Sequence, residues 1–205
     1  MTFEDVEYLA ERASVTEVLR SLVDSPSDLD STLQVILDSA VRLCHTDKGF
    51  IYLNDGDVYR HVADVGASPE VVEFNRANPI RPSRGTAVGR AVVERGPVHI
   101  TDVELDDEYE YREAQRLGGF RTVLSVPMLH EGEVIGVLSV FRTEVLAFSD
   151  GEIDLLEMFA EQAALATVTS QLVATLDSQR VELARYLPKQ VADLISSPDG
   201  LKLLD

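Results

Sequence analysis

Asp102, Glu104 and Asp106 occupy the first, third and fifth places of a calcium-loop pattern, and Glu113 occupies the twelfth. The sixth place is Asp107, where such a loop needs glycine for its turn, so the stretch 102–110 reads as a solvated acidic loop. His45, His61, His99 and His130 are scattered without the spacing of zinc ligands. Cys44 is the single cysteine, which leaves no intrachain disulfide and no cysteine-rich metal site. It also excludes thiol-exchange catalysis, which requires an attacking and a resolving thiol. Neither a glycine-flanked serine elbow nor a phosphate-cradling glycine loop occurs. These residues supply no catalytic constellation, and the chain is expected not to be an enzyme by itself.

The elements that would position any site are organised around Arg121–Thr143. Val123 and Leu129 fall on one alternation phase and Leu124, Val126 and Met128 on the other, followed by Val134, Ile135, Val137, Leu138, Val140 and Phe141. Strands apolar on both phases are covered on both faces. Glu131-Gly132 supplies the turn of this central hairpin, and Pro127 marks a bulge or a strand end. Upstream, Leu29, Leu33, Ile36, Leu37, Ala40, Val41 and Leu43 form the apolar side of a helix. Gly49–Leu53 and Val58–Val65 make an earlier hairpin around Asn54-Asp55-Gly56-Asp57. Ser68-Pro69-Glu70 opens a short helix, and a second, containing Val88, Ala91 and Val92, closes at Gly96-Pro97. Val98–Thr101 is a brief strand, and Tyr109–Leu117 a short helix stopped by Gly118-Gly119. The expected class is α+β, with a central antiparallel sheet.

At the N-terminus, Phe3, Val6, Leu9 and Ala13, then Val15, Val18, Leu19 and Leu22, recur at helical spacing. We expect over 1–25 one helix, or two abutting ones restarting at the capping box Ser14-Val15-Thr16-Glu17, that serves dimerisation, a core domain over 26–168, and a helical linker over 169–205 leading to an effector. Ser149-Asp150-Gly151-Glu152 has the form of a capping box and opens the longest helical pattern, which runs to about Leu187. That is roughly 55 Å at 1.5 Å per residue, more than a small domain can cover. Phe159, Ala166, Val173 and Arg180 repeat every seven residues, as do Gln162, Thr169, Leu176 and Leu183. Alternating as a and d positions, they describe a dimer seam whose polar members suit a dynamic coiled coil.

The formal net charge is −18, which argues against a nucleic-acid backbone or an anionic membrane as partner. No apolar run approaches the roughly 20 residues of a membrane span, and the acidic N-terminus is unlike a secretion signal, so a cytoplasmic chain is expected.

In order, Ser39–Cys44, Arg84–Arg90, Val98–Val103, Gly118–Thr122, Ser125–Met128, Gly132–Leu138 and Phe148–Asp150 carry a resemblance to the GAF domain family of bacterial sensor proteins. The resemblance spans about residues 28 to 168. It implies a central antiparallel sheet with the N- and C-terminal helices on one face and a ligand pocket, roofed by loops and short helices, on the other. A second resemblance covers Glu182–Ile195, which is similar to the connector preceding the catalytic domain of bacterial class III adenylate and guanylate cyclases. It implies a regulatory fragment of a longer cyclase. A histidine kinase or another effector, and a ligand-free dimerisation and relay module, are the alternatives.

By this resemblance the pocket candidates are Arg84, Thr86, Arg90, His99, Thr101, Asp102, Tyr109, Arg121 and Ser125. Arg84 and Arg121 are suited to clamp an anion, with Thr86 and nearby amides donating to it. Equally, they would pin loops to surrounding carboxylates. Tyr59, Phe74 and Tyr109 would stack a planar ligand or belong to the core. Cyclic-nucleotide-binding members carry an Asn-Lys, Phe, Asp-Glu signature; Asp107-Glu108 matches its end, but no Asn-Lys pair occurs. Cys44-His45 lies too early in the chain for bilin attachment, and neither haem nor zinc is supported. The ligand stays unidentified.

Overall fold

A computed structural model describes residues 29–186. The expected helix over 1–25 and the connector beyond 186 lie outside the described residues. In chain order the elements are α1 (Leu29–Leu43), β1 (Lys48–Asp55), β2 (Val58–Val65), α2 (Pro69–Ala77) and α3 (Ala87–Glu94). There follow β3 (Val98–Ile100), α4 (Arg112–Gly118), β4 (Thr122–His130), β5 (Glu133–Arg142) and α5 (Asp150–Tyr186). The strands form one sheet in the order β2-β1-β5-β4-β3, every neighbouring pair antiparallel.

Both faces of the sheet are covered, and the pleat decides which residue faces which layer. Leu124, Val126, Met128, Leu138, Val140 and Ile51 share a core with Leu33, Ile36 and Leu37 of α1 and with Leu156, Phe159 and Ala163 of α5. The intervening residues Phe50, Tyr52, Val123, Val137 and Phe141 point into a second core under α2, α3 and the loop before α4. Gly49 allows α1 to lie close on β1, since a Cβ there would sit 2.5 Å from a Val41 methyl.

The central turn is built as the sequence indicates. Glu131 and Gly132 both take positive φ, 49° and 82°, which matches the twist of a two-residue hairpin. Pro127 stays in register opposite Val137, and the irregularity falls one residue later, between Met128 and Leu129. Several boundaries differ from expectation: β1 runs Lys48–Asp55 rather than Gly49–Leu53, β3 ends at Ile100 rather than Thr101, and two helix ends move for a visible reason. The short helix α4 starts at Arg112 rather than Tyr109, because the preceding amides are used elsewhere: Tyr109 N–H donates to the Asp106 carbonyl and Glu110 N–H to the Gly85 carbonyl. The helix α3 is capped by Arg95 in the left-handed region (φ 54°) rather than by Gly96, with Pro97 unable to extend it. Ser68 precedes α2 as expected but makes no side-chain cap bond.

The capping box at α5 is fully formed: Ser149 N–H donates to Glu152 Oε2 (2.9 Å) and Glu152 N–H to Ser149 Oγ (3.3 Å). Glu152 also pairs with Arg142 at the end of β5. Arg142 in turn donates to the carbonyls of Cys44, Leu146 and Ala147 and lies 4.1 Å over the Phe148 ring. One guanidinium therefore joins the end of α1, the end of β5 and the start of α5.

The compact unit ends at Ala166, and the described residues from Thr167 to Tyr186 belong to a separate unit. In the first, Phe159 is 1% exposed and Ala166 packs against the same core, so these two seam positions are occupied by intrachain packing, while Gln162 is half-buried. In the second, Thr169, Val173, Leu176 and Arg180 are exposed, together with Leu172 and Val181. No described helix is long and apolar enough to cross a membrane.

Candidate functional site

On the face of the sheet opposite α1 and α5, a partly enclosed cavity lies between the strands and the α2–α3–loop layer. Its floor comes from β1, β4 and β5 through Phe50, Tyr52, Ser125 and Phe141. Its roof and walls come from Val71 and Asn75 of α2, Ile80, the start of α3 at Thr86-Ala87-Val88, and Tyr109, Tyr111, Ala114 and Phe120. About 20 Å³ is open to the centre of a water-sized sphere, enough for one ordered water.

The first turn of α3 is set by Thr86, whose Oγ1 accepts from Gly89 N–H at 2.8 Å. Gly89 is pressed against the extended segment before it: an added Cβ would meet the Ser83 carbonyl at 2.6 Å and the Arg81 carbonyl at 2.9 Å. At the floor, Ser125 and Ser139 share a hydrogen bond of 2.7 Å. In the roof, Tyr111 OH donates to Asn75 Oδ1 (3.3 Å) and lies near the Asn78 carbonyl (3.2 Å). Tyr52 and Tyr109 are 3% and 4% exposed, and among the described residues neither hydroxyl has a hydrogen-bond partner. Burial pushes both phenols well above their ordinary range and Tyr111 up to about 12, so all three stay protonated donors.

The nine candidates separate into three groups. Thr86, Tyr109 and Ser125 line the cavity. Arg84, Arg90, Asp102 and Arg121 do not; they fasten the acidic loop that carries Tyr109. Arg84 binds Glu108 through Nε and Nη2 (2.7 to 2.9 Å) and Glu94 through Nη1 (2.9 Å). Arg90 binds Asp106 in a fork, Nη1 to Oδ2 at 2.6 Å and Nη2 to Oδ1 at 2.7 Å. Arg121 holds Asp102 in the same way and reaches Glu104 at 3.3 Å. Those hydrogen bonds hold the Asp102, Asp106 and Glu108 carboxyls below the usual carboxylate range. His99 and Thr101 lie at the outer side of β3, where His99 Nε2 accepts from Phe148 N–H at 3.2 Å and Thr101 O accepts from Thr122 Oγ1 at 2.6 Å.

Of the proposed stacking rings, only Tyr109 reaches the cavity. Tyr59 donates to the Val134 carbonyl at 2.9 Å, and Phe74 packs on Tyr111 at 5.5 Å. Tyr52, Asn75 and Tyr111 were not singled out by the sequence. Tyr52 carries a usable signal, a polar-tipped aromatic inside an otherwise apolar strand; Asn75 carries only its place on the inner side of a short helix.

Every residue lining the cavity is uncharged. Transfer of an isolated ion into such surroundings costs on the order of tens of kcal/mol, whereas a helix start returns at most about 2 kcal/mol. Arg84, Arg90 and Arg121, which would neutralise an anion, are paired instead with Glu108, Asp106 and Asp102.

A family model described as a GAF domain matches residues 26–167. The chain belongs to the GAF family. Among solved structures, the GAF domain of a phosphoenolpyruvate-protein phosphotransferase from Coxiella burnetii superposes with a TM-score of 0.70, at 16% identity, covering 80% of this chain and 96% of that one. The GAF domain/HD domain protein from Geobacter sulfurreducens gives 0.64 at 22% identity, covering 72% and 96%. A probable 3′,5′-cyclic phosphodiesterase of Caenorhabditis elegans is 25% identical over 160 residues, 73% of this chain and 22% of the relative. The chain thus spans about a fifth of that relative's length. As a GAF domain it has a regulatory or sensory role.

Proposed function

We propose that this GAF domain senses a small molecule in the cavity, dimerises through its C-terminal helix, and passes the state of the cavity to a class III nucleotide cyclase domain downstream. The observation that carries the reading is the division of labour between alternate residues of the same strands. Tyr52, Ser125 and Phe141 face the cavity, while their neighbours Ile51, Leu124 and Val140 pack on α1 and α5. A shift of β1, β4 or β5 on ligand entry is therefore felt by α5 without an intervening loop. Tightly packed interfaces respond by choosing between discrete arrangements rather than by bending, which suits a helix that carries a signal. The phosphodiesterase relative supports a place in cyclic-nucleotide signalling. The similarity of Glu182–Ile195 to cyclase connectors supports the choice of effector.

Sedimentation velocity of the full chain against a variant lacking residues 171–205 tests the dimer. The reading requires a dimer that weakens at least tenfold on deletion; unchanged association contradicts it. The effector is tested by the coding sequence after Asp205, where the metal-binding aspartates of a cyclase are expected. A histidine kinase domain in that place contradicts the output assigned here.

A further inference from the structure

We infer that the cavity takes a small uncharged aromatic molecule bearing a carbonyl or amide edge, read by Tyr52, Tyr109 and Asn75, and not a cyclic nucleotide or another anion. This rests on the sensor reading above and narrows it.

Three observations converge. First, the walls are aromatic: Phe50, Tyr52, Tyr109, Tyr111, Phe120 and Phe141 line one cavity, which favours a flat occupant. Second, the free polar capacity is donor-rich. The Tyr52 and Tyr109 hydroxyls lack partners, and the Asn75 side chain, whose residue is 2% exposed, uses its Oδ1 for Tyr111 while its amide group donates to nothing among the described residues. Donors with no protein partner among the described residues are open to a ligand acceptor placed between them. The start of α3, with Ala87 and Val88 on the wall, adds partial positive charge suited to a carbonyl oxygen. Third, no lining residue is ionised, and Arg84, Arg90 and Arg121 are each engaged by carboxylates in the roof and its surroundings. A phosphate would enter without a counter-charge.

The space in this structure suits one water, so a single ring is the largest occupant proposed, and its entry requires the lining side chains and the acidic loop to move apart. Burial holds the Tyr52 and Tyr109 phenols well above their ordinary range, so both remain hydrogen-bond donors at neutral pH.

The test is saturation-transfer NMR on the intact chain with four probes: benzamide, 2-pyridone, benzoate and cyclic GMP. The two uncharged rings are expected to receive saturation, with affinity falling about fivefold in Tyr109→Phe and in Tyr52→Phe, each of which keeps the ring and removes one hydroxyl. Benzoate and cyclic GMP are expected to receive none. Circular dichroism of each variant establishes that it is folded. Binding of cyclic GMP, or of benzoate in preference to benzamide, overturns the ligand class while leaving the sensor reading in place. Binding of the uncharged rings that is indifferent to both variants overturns the assigned readers. Saturation of none of the four overturns the inference and removes the cavity's support for a sensor.

Discussion

Arg90 of α3 and Asp106 of the acidic loop form a two-pronged ion pair at 2.6 and 2.7 Å, with only 7% and 18% of their side chains exposed. The pair joins the helix whose start lines the cavity to the loop that supplies its tyrosine roof. Removing one member of such a pair strands the other in poor surroundings, at a cost of about 3 kcal/mol. Asp106→Asn is expected to lower the urea midpoint accordingly, and the exposed neighbour Asp107→Asn to leave it within about 0.5 kcal/mol. Equal effects would remove the special role of the pair.

His61 has the opposite character. Its imidazole is fully buried between the Phe50 and Tyr52 rings, and neither ring nitrogen has a hydrogen bond. Burial lowers its pKa from 6.5; Asp64, 3.6 Å from Nε2, works to raise it and Arg76 to lower it. The unfolded chain therefore binds the proton more readily. The neutral ring's contribution is fully present above pH 6.5 and is lost as pH falls below that value toward the depressed folded pKa. Urea unfolding between pH 5 and 7.5 is expected to show stability rising with pH, and His61→Phe to flatten the slope.

Alternation in Arg121–Thr143 identified strands covered on both faces, and the structure places helices on one side and the α2–α3–loop layer on the other because the pleat sends Leu124 and Ser125 to opposite layers. Capping at Ser149 and the turn at Glu131-Gly132 were legible because both depend on chemistry within four residues. The site was less so. Thr86, Tyr109 and Ser125 reach the cavity, but an arginine's spacing says nothing of whether a carboxylate 16 or 24 positions away has claimed it, as Asp106 and Glu108 claim Arg90 and Arg84. Asn75 became visible only when α2 closed over the sheet.

The junction between sheet and exit helix is measurable apart from the cavity. Ser149→Ala removes one arm of the capping box and is expected to cost about 1 kcal/mol. Glu152→Gln also removes the charged partner of Arg142, whose side chain is 7% exposed, and should cost more. Hydrogen exchange of residues 150–156 is the readout, with faster exchange in both variants and the greater change in Glu152→Gln.

Leu172 and Leu176 are each 59% exposed on α5 and sit one turn apart. Leu176→Glu places a charge on the proposed seam, and the double variant with Leu172→Glu adds a second beside it. Sedimentation is expected to show at least tenfold weaker self-association with thermal stability of the domain unchanged, because neither side chain belongs to its core.

The central claim, a dimeric sensor with an occupied cavity, is tested most directly by native mass spectrometry of the purified chain under gentle and denaturing conditions. The account predicts a dimer that carries a defined extra mass of a small uncharged molecule, lost on denaturation. A monomer with the bare mass of the polypeptide under both conditions would contradict it.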